Sequence, residues 1–164
     1  AIGRVVADEL HLPLDIVLTK KIGHPHDEEF AIGAVSTRHV VLDEVEGVDK
    51  AYVNHTIKRL QKQLQERYHQ FKKEAPLPLE GKTVIIVDDG IATGNTVMVA
   101  VHVAKDAKAK KVIVATPVGP KESLMRLHVE ADDVICLHCP ENFMAVAQFY
   151  KEFQHVTDKE VKNS

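Results

Sequence analysis

Cysteine is scarce in this chain, with only Cys136 and Cys139 among 164 residues, so no disulfide framework can hold the fold. A reducing, cytoplasmic compartment is the expectation, and no secretory leader is visible. Tryptophan is absent, and aromatic residues make up only 5%. Apolar runs are only a few residues long, too short to cross a bilayer as a helix. No sign of charge dominates: 21 Lys and Arg face 24 Asp and Glu, for a formal charge of −3. Neither nucleic acid nor an anionic membrane is therefore expected as a partner. Two nucleotide signatures are also missing, the G-x-x-x-x-G-K-[ST] phosphate loop and the G-x-G-x-x-G dinucleotide turn. There is no internal repeat, and length and composition point to a single domain over residues 1–164.

One stretch carries most of the chemistry, Val84-Ile-Ile-Val-Asp88-Asp89-Gly90-Ile-Ala92-Thr93-Gly94-Asn95-Thr96. Its four apolar residues read as a buried strand, and two adjacent carboxylates stand where the strand ends. A turn of small residues, Gly90 to Gly94, then leads into a helix starting near Asn95. Ligands of open α/β sheets sit outside the carboxyl ends of the strands. Carboxylates there can accept hydrogen bonds from a sugar diol. Backbone N–H groups of Thr93 to Thr96, at a helix N-terminus, suit a phosphate. The pattern thus offers both halves of a ribose-5-phosphate site. An ordinary strand-to-helix turn is the bland alternative, but paired carboxylates beside a buried strand cost free energy unless they are used.

Around this segment the pattern alternates between strands and helices. Strands are expected at Leu14–Thr19, Ala31–Ser36, His39–Asp43, Thr83–Val87, Lys111–Thr116 and Val134–Leu137. Helices are expected at Val5–Leu10, about 50–73, Val97–Ala107, Pro120–His128 and Asn142–Tyr150. Lys20–Phe30 reads as a polar loop. In the long helix, Ile57, Leu60, Leu64, Tyr68 and Phe71 recur at spacings of three and four, one apolar stripe. Near-continuous apolar strands separated by helices predict a parallel sheet covered on both faces.

The acidic pair followed by Thr-Gly-x-Thr resembles the phosphoribosyl pyrophosphate (PRPP) signature of type I phosphoribosyltransferases. Leu18–Val35 and Pro140–Val161 are similar to the lid region and the C-terminal stretch of a bacterial phosphoribosyltransferase-like family whose acceptors are often unassigned. The resemblance implies a three-layer α/β/α fold with a mainly parallel twisted sheet. It implies that Asp88 and Asp89 hold the ribose hydroxyls, and that Gly90, Ala92, Thr93, Gly94, Asn95 and Thr96 surround the 5′-phosphate. It implies Mg²⁺ bound through PRPP rather than directly by protein ligands, and transfer of the phosphoribosyl group to a nitrogenous acceptor with release of pyrophosphate. A non-catalytic PRPP sensor, or a phosphoribosyl hydrolase or phosphorylase, remains the alternative. The family's pyrophosphate loop and central strand would lie immediately before Ala1, so a longer biological chain is expected. Subunits of this class commonly pair, which makes a homodimer possible.

Other candidates are assigned by position. Lys20 and Lys21, at the start of the lid over 20–30, are the cations expected to act on pyrophosphate, together with Asp88 and Asp89 as the catalytic set. Their bland reading is a solvated pair at a strand end. Glu28 and Glu29 are candidate lid contacts to substrate. His24, His26, Asp27, Glu28 and Glu29 also have metal-ligand chemistry, although a charged mobile lid explains them equally well. Cys136-Leu-His-Cys139 reads more simply as a strand with one small core residue than as a zinc or redox motif. An acceptor hood is expected from 136–150 together with whatever precedes Ala1, with hood and tail spanning about 136–164; there Phe143, Phe149 and Tyr150 could stack on a planar base or simply fill core. Lys105, Lys108, Lys110 and Lys111 read as a solvated helix end.

Overall fold

A computed structural model describes residues 2–71 and 76–152. Its order is α1 (Ile2–Leu10), β1 (Lys20–His24), β2 (Asp27–Val35), β3 (Val40–Leu42), α2 (Lys50–Phe71), β4 (Thr83–Val87), α3 (Asn95–Asp106), β5 (Lys111–Val118), α4 (Lys121–Glu130) and β6 (Asp133–His138), then a short 3₁₀ turn at Val146–Phe149. Two three-stranded sheets form. β1-β2-β3 is antiparallel, and β4-β5-β6 is parallel. The class is therefore mixed α/β, as expected.

Helix α3 lies between the two sheets. Its sequence, Asn-Thr-Val-Met-Val-Ala-Val-His-Val-Ala-Lys-Asp, is apolar nearly all round, and such a helix must be buried on more than one side. Val97, Met98 and Val101 pack with Val112 and Val114 of β5 and Leu124 and Leu127 of α4, and Val41 of β3 joins the same cluster from the other sheet. A second cluster joins Leu60 and Leu64 of α2 to Ile22, Ile32 and Val35 of the hairpin. The layers thus run α2, antiparallel sheet, α3 with α4, parallel sheet.

Cross-strand register shows how the first sheet divides its faces. Lys21, Ala34 and Val41 form one row, and Lys20, Val35 and Val40 the next. Adjacent rows point to opposite faces. The row of Val41 meets α3, and the row of Val35 meets α2. The two lysines therefore diverge.

Four expectations change. Lys20–Phe30 is the tip of an antiparallel hairpin rather than a loop, since its polar residues alternate across a ladder that Ile22 and Ile32 anchor in the core. Leu14–Thr19 has no ladder partner among the described residues and is not a strand. Asn142–Tyr150 forms only the 3₁₀ turn: Met144 is 90% exposed, so no apolar face pulls the segment into a helix. Instead the Gln148 carboxamide accepts from the N–H groups of Met144 and Ala145 and donates to the carbonyl of Asn142. The parallel sheet is packed on its α3/α4 face, while the other face leaves Ile135 50% and Leu137 82% exposed. The Phe71 side chain, residues 72–75 and the tail from 153 lie outside the described residues.

Leu64, 1% exposed, ties α2 to the hairpin. Leu64→Ala should lower the unfolding free energy by about 2–5 kcal/mol in urea titration. Amide exchange should accelerate in the hairpin more than in β5.

Candidate functional site

The site is built where β4 ends. The parallel ladder carries Val87 to the register of Ala115, and the Asp88 N–H still donates to the Ala115 carbonyl. Beyond it the chain leaves the sheet, and the Ile91 N–H returns to the Val118 carbonyl. Asp88 and Asp89 are thus displayed at the carboxyl end of the strand. Asp88 is half-buried and Asp89 exposed. One Asp88 carboxylate oxygen accepts from the Asp89 N–H at 2.9 Å. Burial first, and the neighbouring Asp89 charge second, push the Asp88 carboxyl up to about 6 from 3.8, and the Lys21 ammonium pulls it partly back. The Lys21 charge is thus felt at the acidic pair from the hairpin. Lys20 instead donates to the Gln63 carboxamide of α2 at 2.8 Å.

The turn that follows depends on one glycine. Gly94 has φ 83°, a left-handed conformation that costs other residues strain, and it immediately precedes α3. Among the described residues the backbone N–H groups of Ala92, Thr93 and Gly94 make no hydrogen bond. The first N–H groups of α3 lack intrahelical partners by construction. The turn is therefore a concave set of free donors at the positive end of a helix, suited to a phosphate.

Residues that sequence reasoning missed hold this turn in place. Ser123 donates to the Ala92 carbonyl at 2.6 Å. Asn95 is only 1% exposed, and its carboxamide donates to Asp43 at 2.6 Å and accepts from Arg126 at 3.1 Å. Arg126 also donates to Asp43 at 2.9 Å. The Asn95 side chain is thus a brace inside the wall, and its contribution to an anion site is confined to the backbone. No sequence signal marked Asp43 or Arg126, because the three residues come from three distant segments.

The C-terminal segment closes over the acidic turn. A Cβ at Gly90 would collide with the Val146 side chain, so only glycine admits this contact. The Tyr150 hydroxyl donates to the Asp89 carbonyl. Burial, then the charges of Asp89 and Asp88, push this phenol up, which keeps it a neutral donor at physiological pH. Beside it lies an apolar recess of about 310 Å³, walled by Pro117, Val118, His138, Phe149 and Tyr150, with Ile2 of α1 opposite. Phe149 meets His138 edge-on at 5.5 Å and stacks on Phe143 at 5.7 Å. Phe143, Phe149 and Tyr150 are thus neighbours in the C-terminal segment.

Glu28 and Glu29 are exposed on β2, away from the acidic pair's immediate contacts. His24 and His26 lie with ring centroids 5.6 Å apart, and no group of three or more His, Cys, Asp or Glu is arranged to hold a metal among the described residues. Cys136 sits half-buried in β6 at the edge of the core, and Cys139 is exposed. Lys105 and Lys108 reach Glu130 and Glu80, each at 3.6 Å. Among the described residues no helix is long and apolar enough to cross a membrane.

The sequence model of the phosphoribosyl transferase domain matches residues 1–154. Two curated relatives, from Mycobacterium tuberculosis strains CDC 1551 and H37Rv, are each named a "putative phosphoribosyl transferase". Each is 38% identical over 162 residues, covering 95% of this chain and 37% of the relative. The chain thus spans little more than a third of their length. The crystal structure of TT1426 from Thermus thermophilus superposes with a TM-score of 0.73 at 35% identity, covering 96% of this chain and 77% of that one.

Two outcomes test the site's construction. The folded state binds the Asp88 proton more tightly than the unfolded chain, so the protein loses stability as pH rises from about 4 to about 6. Asp88→Asn should therefore raise the unfolding free energy at pH 7 by about 1–3 kcal/mol, the upper figure being two pKa units at 1.36 kcal/mol each. The gain should vanish below about pH 4. Asp43→Ala strands both Asn95 and Arg126, and should cost about 2–3 kcal/mol in the same measurement.

Proposed function

The chain belongs to the phosphoribosyl transferase domain family, and on that premise we propose that it binds PRPP and transfers the phosphoribosyl group to a nitrogenous acceptor, releasing pyrophosphate. The observation that carries this reading is the join at the end of β4: a carboxylate pair followed at once by a left-handed glycine turn with unpaired N–H groups at the start of a buried helix. Ribose hydroxyls donate to Asp88 and Asp89, and the 5′-phosphate accepts from the backbone of Ala92 to Thr96.

The reaction would be a substitution at C1 of the ribose. The acceptor nitrogen forms the new bond, the C1–O bond breaks, and its electron pair leaves on pyrophosphate. The acceptor's proton goes to solvent or to the leaving group. Positive charge grows on the ring, and the ionised acidic pair lies on the side that favours it. Lys21 is the cation felt at this centre, whereas Lys20 is engaged with α2. The apolar recess with Phe149 and Tyr150 suits a flat acceptor, which its walls would orient and shield from water.

Mg²⁺ fits the donor set in one mode. Magnesium usually keeps several waters and is held largely through substrate phosphates, so it would arrive bound through PRPP, beside the acidic pair rather than ligated directly by it. Bound with PRPP, it would neutralise charge on the departing pyrophosphate.

Calorimetry should show PRPP·Mg²⁺ binding that Asp88→Asn/Asp89→Asn removes; unchanged affinity in that variant rejects the site. Affinity should tighten as pH rises through about 6, because the diol needs the Asp88 carboxylate ionised. Pyrophosphate release, screened over purines, pyrimidines and small amines, then separates transfer from sensing. Tight binding with no release for any acceptor would favour a regulatory role for the same grip.

A further inference from the structure

A second polar cleft lies on the far side of the hairpin from the acidic pair. It has a volume of about 320 Å³ and opens between β1–β2 and α2. On α2 its wall is made by Tyr52, Thr56, Arg59 and Gln63. Their spacings of four, three and four place them on one helical stripe, beside the apolar stripe of Val53, Ile57, Leu60 and Leu64 that holds α2 to the hairpin. On the hairpin side the wall includes Lys20 and Glu28.

The chemistry of this lining is weighted towards donors. Lys20 and Arg59 border the cleft against the one carboxylate of Glu28. Lys20 uses one donor on Gln63, and an ammonium has three. Thr56 is only 4% exposed, yet among the described residues its hydroxyl has no hydrogen-bond partner. That hydroxyl stays in contact with the cleft's solvent and is a donor that a ligand there can use. Gln63 has its carbonyl oxygen occupied and its NH₂ group unengaged. Surplus donors and a net positive wall match an acceptor-rich dianion, and the volume leaves room for a phosphate with a small body attached.

We propose that the cleft between the β1–β2 hairpin and α2 is a second anion site, which takes a phosphate-bearing small molecule as an effector. It is separate from the ribose-phosphate grip because the hairpin stands between them: the row of Lys20 and Val35 faces α2, and the row of Lys21 and Val41 faces α3. The Tyr52 hydroxyl closes one end by donating to the Gly23 carbonyl at 3.0 Å, which ties the hairpin's position to the helix that binds the anion.

Residue-resolved amide NMR with inorganic phosphate as the probe, at constant ionic strength, tests this directly. Saturable shifts are expected over Tyr52–Gln63 and Lys20–Gly23, with chloride producing none of them. Arg59 is exposed on its helix, so Arg59→Glu should leave the circular dichroism spectrum intact and weaken phosphate at least about tenfold. Thr56→Val should weaken it by a smaller factor, without moving shifts at Ala92–Thr96. Shifts confined to Ala92–Thr96, shifts reproduced by chloride, or an Arg59→Glu protein that titrates like the wild type would each overturn the second site.

Discussion

Everything at the site depends on the burial of helix α3 between two sheets. A helix with one apolar stripe can slide or rotate on its support. A helix packed by β5 and α4 on one side and by the hairpin sheet on the other cannot. Its N-terminus is therefore a fixed point. The free N–H groups of the Ala92–Gly94 turn inherit that rigidity, and a fixed donor set binds an anion without an ordering cost. The Asp43–Asn95–Arg126 brace then pins the same point to β3 and α4 by hydrogen bonds.

The acidic pair works against this rigid background. Two carboxylates at the end of a strand repel each other, and Asp88 carries a desolvation penalty that shows as its raised pKa. The surrounding core tolerates the strain because α3 and β5 hold the strand end in place. Stability at neutral pH is lower than it would be with a neutral pair. Lys21 offsets only part of that penalty, from the other sheet.

The join of strand, acidic pair and helix turn was legible in the sequence, because these elements are contiguous from Val84 to Thr96. The long helix was legible too, since Leu60 and Leu64 repeat at helical spacing. What could not be read depended on contacts between distant segments. The hairpin at Lys20–Phe30 hid behind its charges, because Ile22 and Phe30 are its only large apolar residues. Leu14–Thr19 carries an apolar run, but a strand exists only with a ladder partner. The opposite facing of Lys20 and Lys21 follows from register, and the Asp43–Asn95–Arg126 brace from tertiary packing. Neither leaves a local pattern.

The position of α3 also sets an order of events during synthesis. The unit β4-α3-β5-α4-β6 is closed by contacts between near neighbours in the chain, which favour rapid formation. The hairpin sheet emerges from the ribosome earlier, yet one of its faces is completed only when α3 has been translated. Until then Ala34 and Val41 have nothing to cover them. Assembly of the domain is thus a docking of an older half onto a younger one, and the acidic pair comes under the Lys21 charge only at that moment.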